Sequence, residues 1–354
     1  MLKDGGNARD AMHTISSWIG VVQEDSATAY SNAENIANNG LDYSYAFSKD
    51  AYHLKNVRIA NIETDISTIK SMIINYGAVT MSYYSSSEYY NSSFESSGTA
   101  FYDPYGTYSN HAVSIVGWDD NFPKTNFNSN YRPSSNGAWL VRNSWGTDVH
   151  SDGYFWMSYE SKHYDTDAIA CEYESTNVYD FCYQYDGSYR DATYYLSDIN
   201  YAANVFTAQH DEELDAVSFW MGYATSVPYT ISIVKNPSTD DPLSGQIVST
   251  QSGQTTTAGY FMVPLSNTVK LTKGSKFAIV IRYDSTDGGL EFDSTYERCV
   301  SGSISGQSFV SSDGSYWRDI SADGNKNLRI KAFTNKSSSA PTITKQPVST
   351  SADA

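Results

Sequence analysis

From about residue 183 to residue 334 the sequence never sustains a helical stripe. Short apolar–polar alternations recur instead, at 203–207, 216–221, 229–234, 260–265, 277–283 and 328–334, with turn residues between them. In the fifth of these, Phe277, Ile279, Ile281 and Tyr283 fall on one face. A strand apolar on one face needs a second layer to cover it. The pattern therefore predicts a separate all-β sandwich of jelly-roll type over 183–334.

The sequence ahead of it has a different texture. Ala8, Ala11, Met12, Ile15 and Trp18 recur at helical spacing within residues 1–20. A second helix is expected from about 64 to 76, with Ile66, Ile69, Ile73 and Tyr76 as its stripe, Thr64 or Asp65 as its cap and Gly77 as its stop. Strands follow at 78–83, 112–118, 138–143 and 154–158, and 119–137 reads as a long surface loop. This is an α+β domain over 1–175, weighted toward strands. The end, 335–354, is rich in Ser, Thr and Pro and reads as a linker.

Charge and composition narrow the function. The net charge of −17 argues against nucleic acid or anionic lipid as a partner, since both require clustered Lys and Arg. It suits an extracellular setting. No run of 18 apolar residues occurs, so no transmembrane helix is expected. Met1–Gly6 has no apolar core and does not read as a signal peptide. The three cysteines, Cys171, Cys182 and Cys299, lack CxxC spacing, so neither zinc nor another metal cofactor is expected; calcium in the Asp-rich turns of 284–293 stays open. Cys171 and Cys182 could pair, but an odd count argues against a disulfide framework. The 30 tyrosines fit β-rich surfaces.

Two strings carry chemistry: Asn110-His111-Ala112-Val113 and Asn143-Ser144-Trp145-Gly146. His111 opens an apolar strand and Asn143 closes one. If the strands are neighbours, the Asn143 amide oxygen can accept from one ring nitrogen of His111. The other nitrogen is then left for a nucleophile. Trp145 could lie over the pair and exclude water.

These strings, followed by Gly153-Tyr154-Phe155 and preceded by Gly5-Gly6-Asn7 and the helix-to-strand step at 73–82, resemble the papain-like cysteine peptidases in content and order. The resemblance implies a partial papain-like fold over 1–175. It implies His111 as the catalytic imidazole, Asn143 as its orienter and Trp145 as their shield. Gly5 and Gly6 would bind the substrate backbone, and Asn7 and Ser82 would border a substrate pocket. Asn110 stands where the family often has Asp. The segment 119–137 and the strings around Ala203-Asn204-Val205, Gly259-Tyr260-Phe261 and Gly306–Trp317 resemble a bacterial, cell-surface subgroup in which a lectin-like sandwich follows the peptidase. Residues 341–347 resemble the opening strand of a bacterial immunoglobulin-like module.

The family's nucleophile sits in a Gln…Cys-Trp segment, with its His and Asn about 130–150 residues downstream. Counting back from His111 falls before Met1, and all three cysteines lie after His111. The chain is therefore expected to hold His and Asn of a Cys-His-Asn triad, to be inactive alone, and to be poorly stable over 1–175. Its partners would be a peptide or protein substrate and a glycan or surface ligand for the β-domain, with exposed aromatics such as Tyr316 or Trp317 able to stack on sugars. The alternative is a non-catalytic adhesion or glycan-binding protein with a degenerate peptidase domain. A transglutaminase-like enzyme is disfavoured, because such enzymes usually orient the His with Asp.

Overall fold

The computed structural model describes residues 6–93, 95–187, 192–223, 226–293, 302–323 and 326–337. Gly5, Cys299 and the segment 341–347 lie outside these residues.

Among the described residues the strands form two sheets. The smaller runs Gln246–Gln254, Pro228–Lys235, Lys276–Tyr283, Tyr201–Thr207, Ser308–Ser311 and Arg318–Asp319. It packs against Glu212–Tyr223, Ala258–Leu271 and Ile330–Lys336 of the larger sheet. Phe277, Ile279, Ile281, Ile231 and Phe206 face Phe219, Phe261 and Ile330 across one core. Burying each such side chain contributes roughly 1.5–3 kcal/mol, which explains the alternation of Phe277–Tyr283. On the outer face of the small sheet Trp317 is buried with Val205, Val280 and Phe309, so it packs rather than presents itself. Tyr316 beside it is 79% exposed.

The larger sheet continues out of the sandwich into the N-terminal half. Tyr52–Asn61 pairs antiparallel with Asp167–Ser175 along its length and with Ala258–Leu271 at Val57↔Tyr260, Arg58↔Gly259 and Ile59↔Ala258. Gly259 sits at φ +136°, and a Cβ there would stand 1.9 Å from the Val57 carbonyl oxygen. Only glycine allows this approach. Both faces of the Tyr52–Asn61 strand are covered, so its burial does not alternate.

The helix Ala8–Ser16 lies on that junction, with Ala8, Met12 and Ile15 packed against Leu54, Val57, Trp220 and Tyr260. Trp18 does not share its stripe. It takes φ +61° beyond the helix and lies on the His53 ring at 4.7 Å. Arg9 joins the halves: its guanidinium donates to Asp167 at 2.8 Å and to Glu291 at 3.3 Å. His13 Nε2 meets the other Glu291 oxygen at 2.7 Å. Burial is the largest influence on His13 and lowers its pKa, with Arg329 and Arg9 adding to it against the Glu291 contact. Burial acts to raise Glu291, but His13, Arg9 and Arg329 outweigh it and leave the carboxyl below its ordinary range. In the Asp-rich turns, Asp284 pairs with Arg282, and Asp293 accepts from the Gly187 and Asn327 backbones.

The helix expected at about 64–76 runs Ile66–Tyr76 and is closed by Gly77 at φ +92°; two short helices that the periodicity did not announce, Ala33–Asn39 and Ser44–Phe47, precede it. Beyond it the large sheet continues as Val79–Tyr83, His111–Asp119, Ala138–Arg142 and Tyr154–Ser158. The intervening loop is pinned by buried Phe127 and by Phe122 stacked on Trp156 at 4.8 Å.

Candidate active site

Strand register decides what meets at the end of this sheet. Ser114 pairs with Arg142 and Ile115 with Val141. Continued one step, the ladder sets Val113 against Asn143. Side chains alternate along a strand, so His111 and Val113 share a face, as do Val141 and Asn143. Val113 and Val141 are buried on that face, which makes it the core side. His111 and Asn143 are the polar residues that finish this apolar face.

Their side chains meet. His111 Nε2 and Asn143 Oδ1 are 2.9 Å apart. The Ser144 backbone N–H points at the same amide atom at 2.7 Å, and a backbone N–H can only donate, so that atom is the oxygen. His111 therefore donates from Nε2, and its Nδ1 carries the lone pair. Asn143 is 6% exposed, so the bond is strengthened by its dry surroundings. Trp145 stacks on the His111 ring at 4.9 Å and 23°, closing one side of the pair.

Behind Asn143 stands His150, which sequence reasoning missed. Asn143 Nδ2 donates to His150 Nε2 at 2.8 Å, and His150 Nδ1 donates to the Gly98 carbonyl at 2.6 Å. Tyr90 stacks on its ring at 5.4 Å, and Trp145 reaches across at 5.6 Å. Burial is the main cause of a lowered His150 pKa, and neighbouring His111 lowers it further, against the Gly98 carbonyl and Glu95. His150 and Asp152 both adopt φ +56°, and the loop closes where the Asn143 N–H meets the Gly153 carbonyl at 2.9 Å. The signal in the sequence was a histidine between the Asn-Ser-Trp-Gly string and the Gly-Tyr strand.

The remaining sequence candidates lie around this centre. Ser82 pairs with Ala112, one strand from His111, and its carbonyl accepts from His163 Nδ1 at 3.1 Å. Beside Asn143 a cavity of about 440 Å³ is lined by Thr80, Ala112, Ser114, Arg142 and Gly146. Gly6 is exposed, with nothing near the position of a Cβ. The Asn7 side chain accepts from the Asp10 N–H and caps the first helix. Hydrogen bonds and ring contacts bring His111, Asn143, Trp145 and His150 together; they do not tie Gly6 or Asn7 to that group.

Cys171 and Cys182 are free thiols rather than a disulfide. Burial pushes the Cys171 thiol up to about 11, with its Sγ 3.1 Å from Met12 Sδ. Burial likewise pushes Cys182 up to about 12. A nucleophilic thiol needs the opposite environment, exposed and beside positive charge.

The family profile for papain family cysteine proteases matches residues 3–181, and that for a lectin like domain matches 182–334. The fold is similar to a clostridial cysteine protease, Cwp84, after propeptide cleavage. The TM-score is 0.78 and the identity 28%, covering 94% of this chain and 83% of that one. A second structure, of the cysteine protease and lectin-like domains of Cwp84, described as a surface layer associated protein of Clostridium difficile, matches with TM-score 0.74 and 27% identity. It covers 92% of this chain and 73% of that one. A comparison with curated protein sequences gave no match.

Proposed function

Since the chain belongs to the papain family of cysteine proteases and carries a lectin-like domain, we propose that it supplies the imidazole-and-orienter side of a peptide-bond-hydrolysing site. His111 is the general base and acid, Asn143 holds its ring, and Trp145 keeps water from the bond between them. The nucleophile in this reading is a cysteine supplied from outside residues 1–354: Cys171 and Cys182 are partly covered with raised pKa values, and these two and Cys299 all follow His111, the reverse of the family's order. The observation that carries this reading is the Nε2–Oδ1 bond, which leaves the His111 Nδ1 lone pair to receive a thiol proton.

The chemistry follows from that geometry. The thiol proton passes to His111 Nδ1, giving a thiolate–imidazolium pair. The thiolate attacks the scissile carbonyl carbon. As the tetrahedral intermediate collapses, the C–N bond breaks and His111 returns its proton to the leaving amine. Water, deprotonated by His111, then hydrolyses the thioester and releases the acid and the thiol. Asn143 keeps its acceptor on Nε2–H throughout, so the ring stays aligned as its charge changes.

For substrate contacts we propose the cavity beside Asn143, with Ser82 next to it through its pairing with the lining residue Ala112; Gly5, Gly6 and Asn7 would take part through the substrate backbone and pocket edge that the family resemblance assigns them. By analogy with the surface layer associated relative, we assign the protein to the cell surface or its exterior, with the lectin-like domain holding a glycan or protein ligand there. The test is thiol-dependent peptide hydrolysis: a Cys-bearing papain-family segment joined ahead of residue 1 should give activity that His111→Ala removes.

A further inference from the structure

The Asn143 amide has two faces of nearly equal shape, and only one serves the reaction. Turned by 180°, it would offer N–H groups to His111 Nε2 instead of an acceptor. His111 would then have to accept at Nε2 and carry its proton on Nδ1, the wrong nitrogen for receiving a thiol proton. Something must hold the amide in the productive sense.

We propose that His150 is a positioning residue that locks the Asn143 amide, and that a proton on His150 releases the lock. The polarity of the chain is fixed from its far end. The Gly98 carbonyl can only accept, so His150 must carry its proton on Nδ1 and present a bare Nε2. That lone pair demands a donor, so Nδ2 faces His150 and Oδ1 faces His111. Ser144 N–H reinforces the same orientation. The His150 ring cannot turn freely, because Tyr90 and Trp145 stack on it and its Nδ1–H is held by the Gly98 carbonyl; the backbone N–H of His150 is anchored in turn on the Ser96 carbonyl.

Protonation reverses the logic. An imidazolium places N–H at Nε2, directly opposite the Nδ2 donor, and the amide relieves this by turning. The groups facing His150 are few. Glu95 and the Gly98 carbonyl approach from the 95–98 segment, His111 from its strand, Tyr90 and Phe155 as neutral rings, and Asp148 and Asp152 stand on its own loop. Burial far raises the Tyr90 hydroxyl, which stays neutral. The lowered His150 pKa keeps the lock closed at neutral pH. This rests on the proposed role of His111, but its test does not need turnover.

The test uses the 354-residue chain with ¹⁵N-labelled histidine and asparagine. At pH 8, long-range ¹H–¹⁵N spectra should show His111 as the Nε2–H tautomer in the wild type. They should show the same in His150→Gln, whose amide oxygen still accepts but cannot titrate. In His150→Ala, with the fold verified by circular dichroism, the Nδ1–H tautomer should rise to a comparable population. Below pH 6.5 the Asn143 side-chain NH₂ signals should move with the His150 titration in the wild type and stay fixed in His150→Gln. His111 remaining fully on Nε2–H in His150→Ala, or Asn143 signals that ignore the His150 titration, would overturn the proposal. If the tautomer responds but no Cys-completed form hydrolyses peptides, the peptidase reading fails while the positioning role stands.

Discussion

Asn143 accepts from His111 at 2.9 Å and, through its other amide atom, donates to His150 at 2.8 Å. One side chain thus couples the proton positions of two imidazoles. Neither histidine is adjacent to it in sequence; strand register brings one and a strained loop brings the other.

Replacing this amide should be costly in an informative way. In a form completed by a nucleophilic cysteine, Asn143→Ala should lower kcat/KM about 10–100-fold, a typical effect of deleting a group that orients a working side chain. Asn143→Asp keeps the acceptor toward His111 but sets a second acceptor against the His150 lone pair. It should therefore raise the His150 pKa, which an NMR titration would read; an unmoved pKa would show that the two groups do not interact.

Arg9 links Asp167 of the peptidase half to Glu291 of the lectin-like half with its side chain 13% exposed. Arg9→Ala takes the cation from between Asp167 and Glu291 and leaves Glu291 to His13 and the charge of Arg329. Loss of one member of a buried ion pair costs about 3–5 kcal/mol. Chemical denaturation should show that loss, and a change below about 1 kcal/mol would contradict the clamp.

Gly259 supports the join between the two halves. Gly259→Ala would drive a methyl into the Val57 carbonyl at 1.9 Å and force L-residue geometry at φ +136°. Backbone strain of this kind should destabilise by roughly 2–4 kcal/mol. Thermal unfolding of Gly259→Ala beside the wild type would measure it.

Stability should fall with acidification in two stages. Burial lowers the pKa of His13, His53, His150 and His163 from the ordinary 6.5. Below pH 6.5 the unfolded chain binds more protons at these sites than the folded one, so folding stability drops as pH falls through this range. A second loss should begin near pH 4.5, where Glu63, Glu160, Glu172 and Glu291, all held below their ordinary value, require protons to unfold. Urea midpoints between pH 8 and 2 would resolve both stages, and a midpoint rising on acidification would contradict them.

Strands with one covered face were legible in the sequence. Tyr154–Ser158 ran as expected, and Lys276–Tyr283 differed by one residue, because alternation records a single apolar face. Tyr52–Asn61 was not legible: covered on both faces and bulged between Leu54 and Asn56, it shows no period of two. Gln246–Gln254 escaped for the opposite reason, being a polar edge strand. At the site, His111, Asn143 and Trp145 were readable from their strings. His150 was visible only as a histidine between two strings; what it faces depends on a loop with two non-glycine residues at positive φ, a conformation the local sequence does not specify.

The most direct measurement is peptide hydrolysis by residues 1–354 alone and by a fusion that sets a papain-family Gln…Cys-Trp segment ahead of residue 1. We expect no turnover from the first, and thiol-dependent turnover from the second that His111→Ala abolishes. Turnover by residues 1–354 alone, or fusion activity indifferent to His111→Ala, would contradict the assignment of His111 and Asn143.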